Sequence, residues 1–106
     1  MAEERAIEVL RVFMAEREWE QFHTPESLAK SVVIEAGELL ECFQWSGDAD
    51  PARVRAELAD VLTYAFLLAD RLDATPSELI LEKLQETGRK YPVDKARARS
   101  AKYDEL

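Results

Sequence analysis

Four carboxylates fall into two pairs of one spacing: Glu35 with Glu38, and Glu57 with Asp60. Residues three apart share a helical face. Glu35 is the most telling of the four because it interrupts an apolar run. It lies seven after Leu28, three after Val32 and four before Leu39, which at about 100° per residue puts it inside their stripe. Glu57 and Asp60 flank the line through Val61 and Leu68 in the same manner. Two helices facing each other along these lines would bring all four acids together. Leaving several such charges half-buried and unpaired costs several kcal/mol per ion, about enough to require a compensating positive charge. Glu35 has no base one turn away, since Ser31, Val32, Glu38 and Leu39 occupy those places. A hard divalent cation such as Mg²⁺ takes oxygen ligands and bridges carboxylates to phosphate. The alternative is a structural ion network, for which Arg53, one turn before Glu57, is the obvious base.

Aromatic residues suggest a second kind of chemistry. Trp19, Phe22 and His23 cluster in a Glu- and Gln-rich turn, Trp45 closes the next apolar segment, and Tyr64 lies seven after Glu57 on the acids' own helical line. Trp19 and His23 offer flat surfaces on which a nucleobase could stack. His23 is the only histidine, which excludes a multi-histidine zinc site. Cys42 falls on an apolar face and reads as a small buried hydrophobe rather than a nucleophile. As the only cysteine it cannot form an intrachain disulfide, which fits a reducing, cytoplasmic setting. No glycine-rich phosphate loop occurs, so neither a P-loop nor a dinucleotide fold is supported.

The elements that must position these groups read as helices throughout. Thr24-Pro25, Asp50-Pro51 and Thr75-Pro76 each place an N-cap residue before a proline suited to the first helical turn. Thr75 with Glu78 has capping-box spacing. Helices are expected at 3–20, 25–45, 51–72 and 76–90, the last stopped by Pro92. Apolar stripes run through Ile7, Leu10 and Phe13; Leu28, Val32, Leu39 and Phe43; Val54 to Leu72; and Ile80 with Leu84. Phe13, Phe43 and Phe66 are expected in the core. No alternating strand pattern interrupts these signals. The fold class is all-α, a small four-helix bundle over residues 1–92 followed by a basic tail at 93–106 that packs on or completes the site.

The 106 residues suit one domain with a modest core, so self-association would hide leftover apolar surface. At 47% hydrophobic and 34% charged the chain reads as globular and soluble. It has no run long enough to span a membrane and no signal-peptide pattern. A net charge of −8 argues against nucleic-acid binding. The imbalance is uneven: residues 1–88 carry −11 and residues 89–106 carry +3. An acidic body with a basic end could set metal-binding carboxylates beside phosphate-binding cations, or the end could simply dock on the acidic surface.

The order of these motifs is familiar. The stretch from Glu16 through Trp19 to His23, the run Ile34-Glu35-Ala36-Gly37-Glu38-Leu39-Leu40-Glu41, and Phe43-Gln44-Trp45 resemble the MazG-like all-α nucleotide pyrophosphohydrolases. Glu57-Leu58-Ala59-Asp60-Val61-Leu62-Thr63-Tyr64 resembles their second acidic motif. Lys83, Arg89-Lys90-Tyr91-Pro92 and Ser100-Ala101-Lys102-Tyr103 resemble the later signature. Within the family, the dCTP pyrophosphatases look most similar. The resemblance implies that Glu35, Glu38, Glu57 and Asp60 bind Mg²⁺, with Glu38 as a possible base. It implies cleavage of a nucleoside triphosphate, dCTP or a modified dCTP, to monophosphate and pyrophosphate. Trp19, His23, Trp45 and Tyr64 would surround base and sugar, and Lys83, Lys90 and Lys102 would meet the phosphates. A homodimer or a homotetramer built as a dimer of dimers is implied, with sites near subunit contacts. Ile34 replaces an acid common in MazG relatives, and Thr87 stands where an asparagine is expected. The same chemistry on dUTP or another nucleotide, or a non-enzymatic helical interaction module, are the competing readings.

Overall fold

A computed structural model describes residues 2–45 and 47–106, and every element among them is helical. The order is α1 (Ala2–Glu16), a 3₁₀ turn (Glu20–Phe22), α2 (Pro25–Gln44), α3 (Pro51–Arg71), α4 (Pro76–Lys90), α5 (Val93–Ala96) and a second 3₁₀ turn (Tyr103–Glu105). None of these helices is long and apolar enough to cross a membrane. The chain divides into two compact units, residues 1–74 and 75–106.

Helix starts follow the cap-and-proline signals. Thr24 accepts from the Ser27 N–H, and the Ser27 hydroxyl accepts in return from the Thr24 N–H, a full capping box. Asp50 accepts from the Ala52 N–H at 3.0 Å, and Thr75 from the Glu78 N–H at 3.2 Å. Helix ends are less legible. The first helix stops at Glu16, four residues short of expectation, because Glu18 adopts a left-handed conformation at φ 55°. The Trp19 N–H then donates to the Met14 carbonyl at 3.0 Å, a Schellman closure that glycine usually serves. Asp73, at φ 56°, ends α3 similarly, with Ala74 N–H donating to the Ala69 carbonyl. Relieving the left-handed side chain with Glu18→Gly should therefore stabilise the protein by about 0.5–1 kcal/mol, seen as a higher urea midpoint. A lower midpoint would show that the Glu18 side chain contributes more than its backbone strain costs.

In the first unit α2 packs along α3, and α1 lies against α3. The core centres on Met14, Leu28 and Leu67, with Leu10, Tyr64 and Leu68 packed around them. Arg11 ties α1 to α3 through a forked ion pair with Asp70, Nε lying 3.0 Å from Oδ2. That pair holds the Asp70 carboxyl below its ordinary range. Two of the phenylalanines expected inside are not: Phe13 is 40% and Phe43 56% exposed, while Phe66 is half-buried. Met14 takes the place expected for Phe13, on the face of α1 that meets Leu28 and Leu67. On α2 the outward face carries Val33, Ile34 and Leu40, all well exposed.

In the second unit the chain after Pro92 folds back onto the end of α4. The Tyr103 N–H donates to the Tyr91 hydroxyl at 3.1 Å, and the two rings meet edge to face. Apolar residues of α4, among them Ile80 and Leu84, are exposed rather than buried.

Candidate active site

The carboxylates meet where α2 and α3 run side by side. Glu35, Glu57 and Asp60 each offer an oxygen within 4.8 Å of the others. Glu38, one turn after Glu35, interacts electrostatically with both Glu35 and Glu57. All four acids therefore form one group. Glu35 and Glu57 are half-buried, whereas Glu38 and Asp60 reach solvent. This gradient follows from the helical angles: the first member of each pair sits nearer the packed line between helices and the second at its open edge.

The electrostatics of this group are strained. Glu38 is raised above the ordinary carboxylate range, first by its hydrogen bond with Glu35 and then by that residue's charge. Burial raises Glu57, and the charge of Glu38 adds to it. One Oε2 atom on Glu35 and one on Glu57 are buried without a hydrogen-bond partner. Orphaned buried oxygens are uncommon in a finished interior. Here they belong to an all-oxygen donor set that converges on one point, which fits a hard divalent cation. Arg53 does not resolve the repulsion: its guanidinium pairs with Glu41 at 4.0 Å and lowers Glu57 only as the last of several influences.

A pH dependence follows. A carboxyl raised in the folded state binds its proton more tightly there than when unfolded, so folding stability falls as pH rises through the window above 4.5. The lowered carboxyls, Asp70 and Glu86, contribute stability that disappears only as pH falls below their ordinary range. In EDTA the melting temperature should therefore decline from about pH 5 towards neutrality, and Glu57→Gln should flatten the decline. A metal-free melting temperature independent of pH across that window would contradict the strained cluster.

The aromatic candidates do not all converge within one chain. Trp19 and His23 lie just before α2, and Trp45 just after it. Twenty helical residues separate them, about 30 Å of rise, with Glu35 about midway. Trp19 is 45% exposed and Trp45 85% exposed. His23 is half-buried and lines a cavity of about 50 Å³ with Arg11, Glu20, Leu28, Asp70 and Arg71. Tyr64, one turn past Asp60, packs against the Met14–Leu28–Leu67 core.

The lysine candidates belong to the second unit. Lys83 and Lys90 share Glu86, at 2.8 and 3.2 Å, and hold its carboxyl below the usual range. Lys90 also stands 4.8 Å over the Tyr103 ring, next to Lys102 in sequence. The Thr87 hydroxyl donates to the Lys83 carbonyl within its own helix. Ile34 is exposed beside Val33, so no acid occupies that position, and Glu41 faces Arg53. Cys42 is buried with its thiol toward the Glu38 carbonyl at 3.8 Å, the environment of a structural residue. Sequence reasoning missed the Arg11–Asp70 pair, whose partners are 59 residues apart and carry no local signal.

Comparison with known proteins finds pyrophosphatases among those the chain is similar to. The dCTP pyrophosphatase 1 proteins of Homo sapiens and Rattus norvegicus are 42% and 39% identical to this chain over 89% of its length. The chain spans 61% of the length of each of these relatives. A crystal structure of a pyrophosphatase from Archaeoglobus fulgidus superposes with a TM-score of 0.79 at 38% identity, covering 87% of this chain and 94% of that one. The sequence profile of the MazG-like family matches residues 30–106, a span that contains all four clustered carboxylates. On that match and these likenesses, the chain belongs to the MazG-like family.

Proposed function

We propose that this protein is a Mg²⁺-dependent nucleoside triphosphate pyrophosphohydrolase that cleaves dCTP, or a 5-modified dCTP, to the monophosphate and pyrophosphate. Its role would be to clear such nucleotides from the cytoplasmic pool. The observation that carries the reading is the convergence of Glu35, Glu57 and Asp60 with two orphaned buried oxygens. The likeness to dCTP pyrophosphatase 1 supplies the substrate class.

Glu35, Glu57 and Asp60 would hold the cation, with Glu38 at the open edge. A bound Mg²⁺ supplies charge neutralisation for the triphosphate and for the leaving pyrophosphate. Glu38 is the candidate base. It is exposed to incoming water and its raised affinity for a proton suits it to accept one from the attacking molecule. Trp19 and His23 would stack on or edge the nucleobase, and Tyr64 would face the sugar. Lys83, Lys90 and Lys102 keep the phosphate-binding role as a proposal, and so does completion of the site by the tail at 93–106. The net charge of −8 disfavours nucleic acid as a partner.

A second copy of the chain is part of the proposal. Trp45 cannot share a base with Trp19 in one chain across about 30 Å, so it would serve the site of a partner subunit. The outward face of α2 supports such pairing: Val33 and Leu40 are 71% and 67% exposed around Gly37, where nothing lies within 4 Å to impede a close approach. A homodimer, or a tetramer of two such dimers, would cover this face.

The substrate assignment is tested by pyrophosphate release from each common ribo- and deoxyribonucleoside triphosphate and from 5-methyl-dCTP. The reading expects the highest kcat/KM on the deoxycytidine nucleotides, and His23→Ala should raise KM for them by about 10-fold with little change in kcat. A preference for dUTP or a purine nucleotide would keep the chemistry and discard the cytosine assignment. Failure of every nucleotide would favour the interaction-module reading.

A further inference from the structure

Trp19 is held by a cluster that its surface position alone would not provide. The left-handed turn at Glu18 swings its indole back along α1, where it meets Phe13 edge to face with centroids 6.0 Å apart. Arg17 joins the two. Its guanidinium carbon stands 3.6 Å from the Phe13 ring centroid and 5.9 Å from that of Trp19. Its Nη1 also donates to the Phe13 carbonyl at 2.9 Å.

We propose that Arg17 is the positioning residue for Trp19, clamping the Phe13–Trp19 pair so that the indole face is set before substrate arrives. This rests on the base-stacking role given to Trp19 above. Three features favour a positioning role. Both rings are about half exposed, so burial alone does not immobilise them. The planar fork satisfies a carbonyl at the C-terminal end of α1 while covering the Phe13 ring, a combination that lysine cannot reproduce. The last turn of α1 contains no base, so Arg17 also supplies the cation that the negative helix end favours. A side chain fixed at both ends loses less entropy when a base stacks against its neighbour.

Arg17 is also the only arginine or lysine between Arg11 and Lys30, and Glu16, Glu18 and Glu20 flank it. Its charge could therefore help an anionic substrate directly, and the test must separate charge from position. Arg17→Ala and Arg17→Lys are both expected to raise KM for dCTP by about 3-fold with kcat unchanged. Full rescue by Lys would assign the effect to charge and overturn the proposal. In a Trp19→Ala background, Arg17→Ala should add less than about 1.5-fold, because a residue acting through Trp19 has nothing left to position. An unchanged 3-fold effect there would overturn it.

A readout without substrate completes the test. The chain has two tryptophans, so Trp45→Phe leaves Trp19 as the only indole. In that background Arg17→Ala and Arg17→Lys should each raise the acrylamide quenching constant by about 1.5- to 2-fold and lower the fluorescence anisotropy, with the far-ultraviolet helical signal retained. Unchanged quenching would overturn the clamp. Increased quenching together with a Trp19→Ala enzyme of normal KM would uphold the clamp and remove the stacking role of Trp19 instead.

Discussion

Glu35→Gln is expected to lower turnover by about 10³-fold or more while the helices remain folded. The side chain keeps its shape and one carbonyl oxygen but loses the anionic character a hard cation requires. Glu35 interacts with Glu38, one turn on, and lies within reach of Glu57 and Asp60. It also carries one of the two orphaned buried oxygens. Removing its charge takes away one of the influences that raise Glu38. The metal-free variant should therefore melt no lower than the wild type at neutral pH. Adding Mg²⁺ should raise the melting temperature of the wild type and leave the variant unmoved, since a ligand stabilises only the state that binds it. Steady-state kinetics and thermal melts with and without Mg²⁺ read both effects. A fully active Glu35→Gln enzyme would show that the metal site is misplaced. An inactive variant that unfolds would show that the cluster is structural.

Two impaired proteins should restore each other. Trp45→Ala is expected to lower kcat/KM by about 10- to 100-fold, the usual loss of one aromatic–base stack. If Trp45 serves the partner's carboxylates, a mixed dimer of Glu35→Gln and Trp45→Ala chains contains one site with both residues intact and one with neither. After random exchange half of the dimers are mixed, so about a quarter of wild-type kcat/KM should return. If Trp45 instead served its own chain, each site of the mixed dimer would carry one defect and nothing would return. Co-expression with two affinity tags, or unfolding and refolding the mixture, produces the mixed species. The distance along α2 makes the first outcome the expected one.

The helix starts at Pro25, Pro51 and Pro76 were legible because a cap residue and a proline act locally. So was the meeting of the acids, because a spacing of three on each of two packed helices determines which faces they share. The early end of α1 was not legible. Glu18 adopts the left-handed conformation without being glycine, so no residue type marks the turn. That missed turn altered the reading of the core, with Met14 inside and Phe13 at the surface under Arg17. Phe43 misled for a different reason: apolar periodicity reports which surface avoids water, without saying whether its own chain covers it. Trp19, His23 and Trp45 were grouped by side-chain chemistry. Their separation along α2 was implicit in the residue count, and only the observed unbroken helix made it decisive.

The most direct test of the carboxylate site is the product analysis of dCTP incubated with the protein, in Mg²⁺ and again in EDTA. The account predicts dCMP and pyrophosphate in equal amounts with Mg²⁺, and neither in EDTA nor with Glu35→Gln. Products that form equally well in EDTA, or dCDP with inorganic phosphate in their place, would contradict it.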